Sequence, residues 1–459
     1  MMPAWKLLII IMFAVAVACV AAATETGVIE LESQLVSCDR ADTRVTIAAS
    51  ARLDPSCTWT KGFRIVASNL MLNCQGARIV TTDGRYGILI TTPSDVALAN
   101  ITVRNCHVEG FLNNFRITRA GFRSLAEGRE YDHTYSNIVI ENSTFLNSRG
   151  VGVFIDGYVT GVTLRNSRIE GSGSAGVYLE AGSKDNIIEH NRIVNNGYKQ
   201  NGPNGQFFNV AGISFWFWGT GREGLAIDGS RNNRIVNNYF SGNSAGAIFL
   251  YKNCGEFESQ RPQHWFHRRY GADGNLIEGN TINEEDNGVW IASRMSENTL
   301  FMDCSDSFYL PGFVLDYARG NVVRANEFRN VSYGIRVEDD GNSITDNRFF
   351  GNDAALQAVI IGTRFRTLAL RQPVDNTTVT GNQAFIAGNN NPYRWIHGQR
   401  DTHYDTNKSF GRTAGFCEGR KLPRNTFLFV VDFELADTDD PPAGELPMVP
   451  LPKPLAPCQ

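Results

Sequence analysis

One short phrase keeps returning along the middle of this chain. It reads N-I-V-I-E-N (Asn137–Asn142), N-I-I-E-H-N (Asn186–Asn191), N-R-I-V-N-N (Asn233–Asn238), N-L-I-E-G-N (Asn275–Asn280), N-V-V-R-A-N (Asn321–Asn326) and N-S-I-T-D-N (Asn342–Asn347), with looser copies at Asn100–Asn105 and Gly161–Asn166. Between the copies lies a second phrase, a glycine followed by an alternating apolar strand, at Gly152, Gly176, Gly212, Gly246, Gly288 and Gly334. Strict alternation puts one face of a strand inward and the other outward. Two strands and a turn asparagine repeated this often describe a solenoid, because a sandwich of strands has no reason to repeat one phrase. The second Asn stands at the strand's end. Asparagine tolerates the left-handed backbone of a sharp turn, and stacked asparagines can hydrogen-bond along the pile. Asn142 to Asn166 spans 24 residues, Asn166 to Asn191 25 and Asn326 to Asn347 21, the length of one bare coil; the 46 from Asn280 to Asn326 include an inserted loop.

These paired phrases resemble the right-handed parallel β-helix repeats of the pectate-lyase-like superfamily, over roughly Ile65 to Ala387. The resemblance implies an all-β fold, a right-handed parallel β-helix solenoid with an N-terminal cap and long loops on its middle coils. It leaves the reaction open, since such helices include polysaccharide lyases, uronan epimerases, glycoside hydrolases and adhesins without catalysis.

The organisation expected along the chain follows. Residues 1–23 read as a signal peptide: Lys6, the apolar run Leu7–Val20, and Ala21–Ala23 before the cleavage point. Cys19 admits a lipid anchor, but Ala16 stands where that signal usually has leucine. Residues 24–64 form an entry cap, 65–388 the helix, 389–436 a closing segment with a strand at Thr426–Glu434, and 437–459 a Pro-rich tail. Export turns the eight cysteines beyond the leader into disulfide candidates, with neighbours pairing as 38–57, 74–106, 254–304 and 417–458. No Cys/His cluster has zinc spacing. A formal charge of −4 with no basic run argues against nucleic acid, and after the leader no stretch is long and apolar enough to span a membrane. The reading is of a secreted or periplasmic monomer.

Three inserts, after Asn105, at Tyr198–Phe208 and at Phe257–Gly271, lengthen particular coils, and function concentrates on such loops. Counting from each strand glycine, the fourth residue faces outward: Asp156, Glu180, Trp216, Leu250, Ala292 and Glu338. The sixth lies just beyond the strand: Tyr158, Gly182, Trp218, Lys252, Arg294 and Asp340. Coils stack roughly 4.8 Å apart, so Lys252 and Arg294 are expected as neighbours, and a like charge favours the neutral amine a general base needs. Lys252 is the candidate base, Arg294 the clamp on a substrate carboxylate, and Tyr251, His264 or His267 the proton donor, with Glu256, Asp303 and Asp306 in the same patch. Trp216, Trp218 and Trp290 are candidate sugar platforms; Arg268, Arg336, Glu338 and Asp340 complete the substrate-binding set.

The ligand expected is an anionic polysaccharide, and β-elimination at a uronate is the leading reaction. C5-epimerisation and hydrolysis stay open. Hydrolysis needs two carboxylates, available from Asp303/Asp306 or Glu338/Asp339/Asp340, but the G-H-G and R-I-K motifs of polygalacturonase-like hydrolases are missing. Alginate-epimerase-like proteins carry a D-P-H-D motif, of which Tyr131-Asp132-His133 is a partial echo. The sequence assigns no cofactor and no metal ligands. Calcium is possible, although Asp339/Asp340 is a small cluster. A non-catalytic carbohydrate-binding helix is the remaining alternative.

Overall fold

The computed structural model describes residues 33–93, 95–198, 222–253, 266–296, 316–363, 366–367 and 372–418, and the backbone of 206–210 and 213–217. In it the alternating segments stack into three sheets of 13 strands each, each strand paired in parallel with its counterpart in the next coil except for the antiparallel pair Lys408–Ser409 and Arg412–Thr413 that ends the second sheet. A bare coil contributes Val162–Arg165 to the first sheet, Arg168–Glu170 to the second and Val177–Leu179 to the third. Inward residues form continuous columns. Ile188, Ile235, Ile277 and Val323 line the first sheet, Ile169, Ile193, Phe240 and Ile282 the second, Ile155, Leu179, Ile227 and Leu250 the third, all 0% exposed. Burying each such side chain stabilises the coil by about 1.5–3 kcal/mol.

The turn between the first and second sheets carries the asparagines. Asn191, Asn238, Asn280, Asn326, Asn347, Asn382 and Asn407 form one pile in which each Nδ2 donates to the next Oδ1 at 2.8–3.0 Å. The first asparagines of the phrase form a second pile, Asn186, Asn233, Asn275, Asn321 and Asn342, at 2.8–3.1 Å. The left-handed corner falls elsewhere than expected in these coils. It is taken by the preceding residue, His190 (φ 55°), Asn237 (55°), Ala325 (54°) or Asp346 (56°), which leaves the following Asn free to point inward. Asn142 and Asn166 do sit at the corner (φ 50° each), and there Ser143 and Ser167 join the pile instead.

Parallel pairing begins with Gln34–Val36 against Ala51–Leu53 and continues to Arg394–Trp395 against Cys417–Glu418, beyond both ends of the 65–388 segment. Cys38–Cys57 and Cys74–Cys106 are bonded as paired from the sequence. Cys417 is also in a disulfide, while Cys254, Cys304 and Cys458 lie outside the described residues, as does Thr426–Glu434.

Two register assignments need correction. Ile213–Phe217 is not a coil strand; it pairs antiparallel with Gln206–Val210 in a separate hairpin. The coil strand at that level is Glu223–Asp228, whose Leu225 and Ile227 stand beside Val177 and Leu179. In the following coil Ile248 pairs with Val289, so Ala247, and not Gly246, matches Gly288. Leu250 therefore points inward, 0% exposed. A glycine followed by apolar alternation specifies a strand face but not which sheet the strand joins.

Candidate functional site

With the register corrected, the outward position after each third-sheet strand reads Asp156, Glu180, Asp228, Tyr251, Ala292 and Glu338. Three consecutive coils thus present a carboxyl group in one column. Asp156 is held by Arg116, whose Nε and Nη2 donate to its two oxygens at 3.0 and 2.9 Å. Asp228 accepts from the Tyr178 hydroxyl at 2.8 Å and from the Asn253 N–H at 2.8 Å. Arg268, near the end of the third insert, stands between Glu180 and Asp228. Its Nη2 is 3.4 Å from Glu180 Oε1 and 3.8 Å from Asp228 Oδ2. Those two oxygens are therefore no more than 7.2 Å apart, the sum of the two distances.

The electrostatics separate the column's members. Burial pushes Glu180 up to about 7, opposed by Arg268 and by the Ala181 N–H, and reinforced by Asp228 and Asp156. Its carboxyl thus exchanges its proton near neutral pH and is protonated below it. Asp228 faces two hydrogen-bond donors and the Arg268 guanidinium. Burial also raises the Tyr178 hydroxyl well above its ordinary range, so it stays a donor.

The expected base and clamp lie on the next two coils. The Lys252 and Arg294 N–H groups share one carboxylate, Asp316, which takes the first on Oδ1 and the second on Oδ2, the latter at 2.7 Å. Asp316 is itself pushed well above the usual carboxylate range by burial. Lys252 is half-buried, while Arg294 is 4% exposed, donates to Asn253 Oδ1 and lies 5.5 Å over the Tyr251 ring. The Tyr251 hydroxyl is committed to Glu223 Oε1 at 2.7 Å, and burial lifts it well above its usual range.

Other expected residues are displaced from a sugar-binding role. Trp290 is 0% exposed: its Nε1 donates to Glu338 at 2.9 Å and Arg336 stacks 3.5 Å over its ring, so it is no open platform. Arg336 and Glu338 are paired to each other at 3.0 Å and buried. Asp340 and Asp339 are both gripped by Arg366 and Arg319. His267 is exposed. Trp218, Glu256, His264, Asp303 and Asp306 lie outside the described residues, as does the Trp216 side chain. Sequence reasoning missed Asp228 and Arg116. Gly224-Leu-Ala-Ile-Asp228 carries the same signal as the other strands and was hidden by the similar phrase that begins at Gly212.

Two family models match the sequence. The model "Right handed beta helix region" matches residues 66–263, and "Periplasmic copper-binding protein (NosD)" matches 206–391. In the second range the described imidazole and sulfur donors are His267 and Met295, whose thioether accepts the Asp316 N–H at 3.3 Å. The one metal-like group among the described residues is Cys38, Asp54 and Cys57, whose sulfurs are joined in a disulfide. The described residues do not fit a copper site. No curated protein matches the sequence.

Among solved structures, the mannuronan C-5 epimerase AlgE4 A-module of Azotobacter vinelandii is similar with a TM-score of 0.41 and 11% identity, over 83% of this chain and 93% of that one. An alginate lyase from Paenibacillus sp. str. FPU-7 matches with TM-score 0.34 and 13% identity, over 82% and 98%. PfbA, a surface adhesin of Streptococcus pneumoniae, matches with TM-score 0.39 and 11% identity, over 83% of each chain. Stacked parallel sheets and the β-helix family model agree: the chain is a right-handed parallel β-helix.

Proposed function

We propose that the protein is an exported, polysaccharide-active enzyme whose acid–base pair is Glu180 and Asp228. The observation carrying this reading is that two carboxyl groups on consecutive coils share one guanidinium nitrogen, and burial raises one of them, Glu180, to about 7. Glycoside cleavage uses such a pair: one carboxylic acid protonates the leaving oxygen, and a carboxylate serves as nucleophile or as base toward water. Glu180 gives its proton to the glycosidic oxygen as the bond to the anomeric carbon breaks. Asp228 either bonds that carbon, to be displaced by water, or takes a proton from the attacking water; the water ends as the new hydroxyl. Tyr178 and the Asn253 N–H orient Asp228, and the Arg116–Asp156 pair closes the column. Because Glu180 is 5% and Asp228 0% exposed, a sugar reaching them has to displace Arg268, whose side chain is 12% exposed. The leader sequence and the disulfides support action outside the cytoplasm.

A second reading, β-elimination on a uronate polymer, is favoured by the link from Arg294 through Asn253 to Asp228, which joins the Lys252–Arg294 patch to the acid column. The two readings differ in product. Hydrolysis releases reducing ends alone, whereas elimination also creates an ultraviolet-absorbing unsaturated uronate. Glu180→Gln abolishing cleavage supports the first; Lys252→Ala abolishing it while Glu180→Gln does not supports the second.

A further inference from the structure

On a different side of the helix, where the first sheet turns into the second, an open groove of about 820 Å³ crosses four coils. Its wall is one in-register column of the second sheet, Thr144, Arg168, Arg192 and Tyr239. The corner residues Asn166, His190 and Asn237 form the other side. Both arginines are exposed. No aspartate or glutamate lines the groove, whereas two arginines, a histidine and a row of amides and hydroxyls do.

Arg168 and Arg192 pair directly across neighbouring strands, an arrangement of like charges that destabilises a sheet unless something answers it. Arg168 is answered by Glu170 on its own strand. Arg192 has no carboxylate among the described residues; its guanidinium lies 4.5 Å over the Tyr239 ring, which keeps its fork available for a planar anion. We infer that this groove is a second, non-catalytic binding site for an acidic polysaccharide laid across the coils, in which Arg168 and Arg192 hold carboxylate or sulfate groups and Tyr239 supports a sugar ring. Guanidinium forks match such oxyanions, and corner amides such as Asn166 and Asn237 suit sugar hydroxyls. The choice of a sugar ligand rests on the reading that the enzyme acts on polysaccharide; the groove's charge and shape do not.

The test is affinity electrophoresis of the full chain through gels holding alginate, pectate, chondroitin sulfate, neutral dextran or single-stranded DNA, for wild type, Arg168→Gln/Arg192→Gln and Tyr239→Ala, with circular dichroism to confirm folding. Retardation of the wild type by one or more acidic polysaccharides, weakened about tenfold or more in both variants, is the expected result. Stronger retardation by carboxylated than by sulfated chains, or the reverse, identifies the anion. Equal retardation of wild type and double variant, equal retardation by dextran, preference for DNA, or no retardation at all each overturns the proposal. The readout needs no turnover, so inactive Glu180→Gln protein that is still retarded would keep this site while the catalytic reading is judged separately. Cleavage of short oligosaccharides is expected to be unchanged in Arg168→Gln/Arg192→Gln.

Discussion

Arg268 stands 3.4 Å from Glu180, on a segment far from it in sequence, and the same nitrogen reaches Asp228 on the next coil. This one side chain ties the end of the third insert to the acid column and opposes the effect of burial on Glu180.

Removing that charge is expected to raise Glu180 further, because Arg268 is what holds it down against burial. A general acid works only while protonated, so wild-type activity should fall as pH rises through about 7. In Arg268→Met the fall should move to higher pH. An unchanged or lowered midpoint in the pH–rate profile would separate Arg268 from Glu180's proton.

Stability should carry the same signature. A carboxyl raised from 4.5 to about 7 binds its proton more tightly when folded, so its contribution is fully present below the unfolded value and is lost as pH rises through about 7. Asp316 and Glu285, also raised by burial, add to the same slope. Thermal unfolding of Glu180→Gln between pH 5 and 7, compared with wild type, should show a shallower decline.

The asparagine piles make a positional prediction. Asn280 donates to Asn326 at 2.9 Å and to Ile235 O at 2.8 Å, and accepts from the Asn238 N–H at 2.9 Å. Asn280→Ala strands several buried groups and should destabilise by about 2–4 kcal/mol. Asn142, at the left-handed corner with φ 50°, should tolerate glycine with little change. Denaturation midpoints of the two variants check the contrast.

Cys74 and Cys106 join successive coils across 32 residues of chain. Replacing both by serine should lower stability by about 2–4 kcal/mol and leave cleavage intact, since the bridge lies where the first sheet turns into the second, whereas the acid column follows the third sheet. Unfolding curves with and without reductant measure the effect.

The coil was legible because a solenoid repeats its constraints: every level needs an inward apolar pair and a polar corner, so the Asn phrase could not hide. The acid column was half legible. Asp156 and Glu180 were placed at the outward position, but a hairpin with its own Gly-apolar alternation, Ile213–Phe217, took the place of Glu223–Asp228 and hid Asp228. Periodicity reports which face a side chain takes and is silent on which sheet a strand joins. Burial was also out of reach. Trp290 alternates outward as read, yet is enclosed with Arg336 and Glu338, because what lies over a sheet's outer face is fixed by long-range packing.

The central claim is tested most directly by following reducing ends and unsaturated uronate together, for wild type and Glu180→Gln, on alginate, pectate and glycosaminoglycans. The account predicts that at least one polymer yields reducing ends without ultraviolet absorbance, and that Glu180→Gln lowers the rate by about a hundredfold or more. Full activity in Glu180→Gln, or products that all carry the unsaturated uronate, would contradict it.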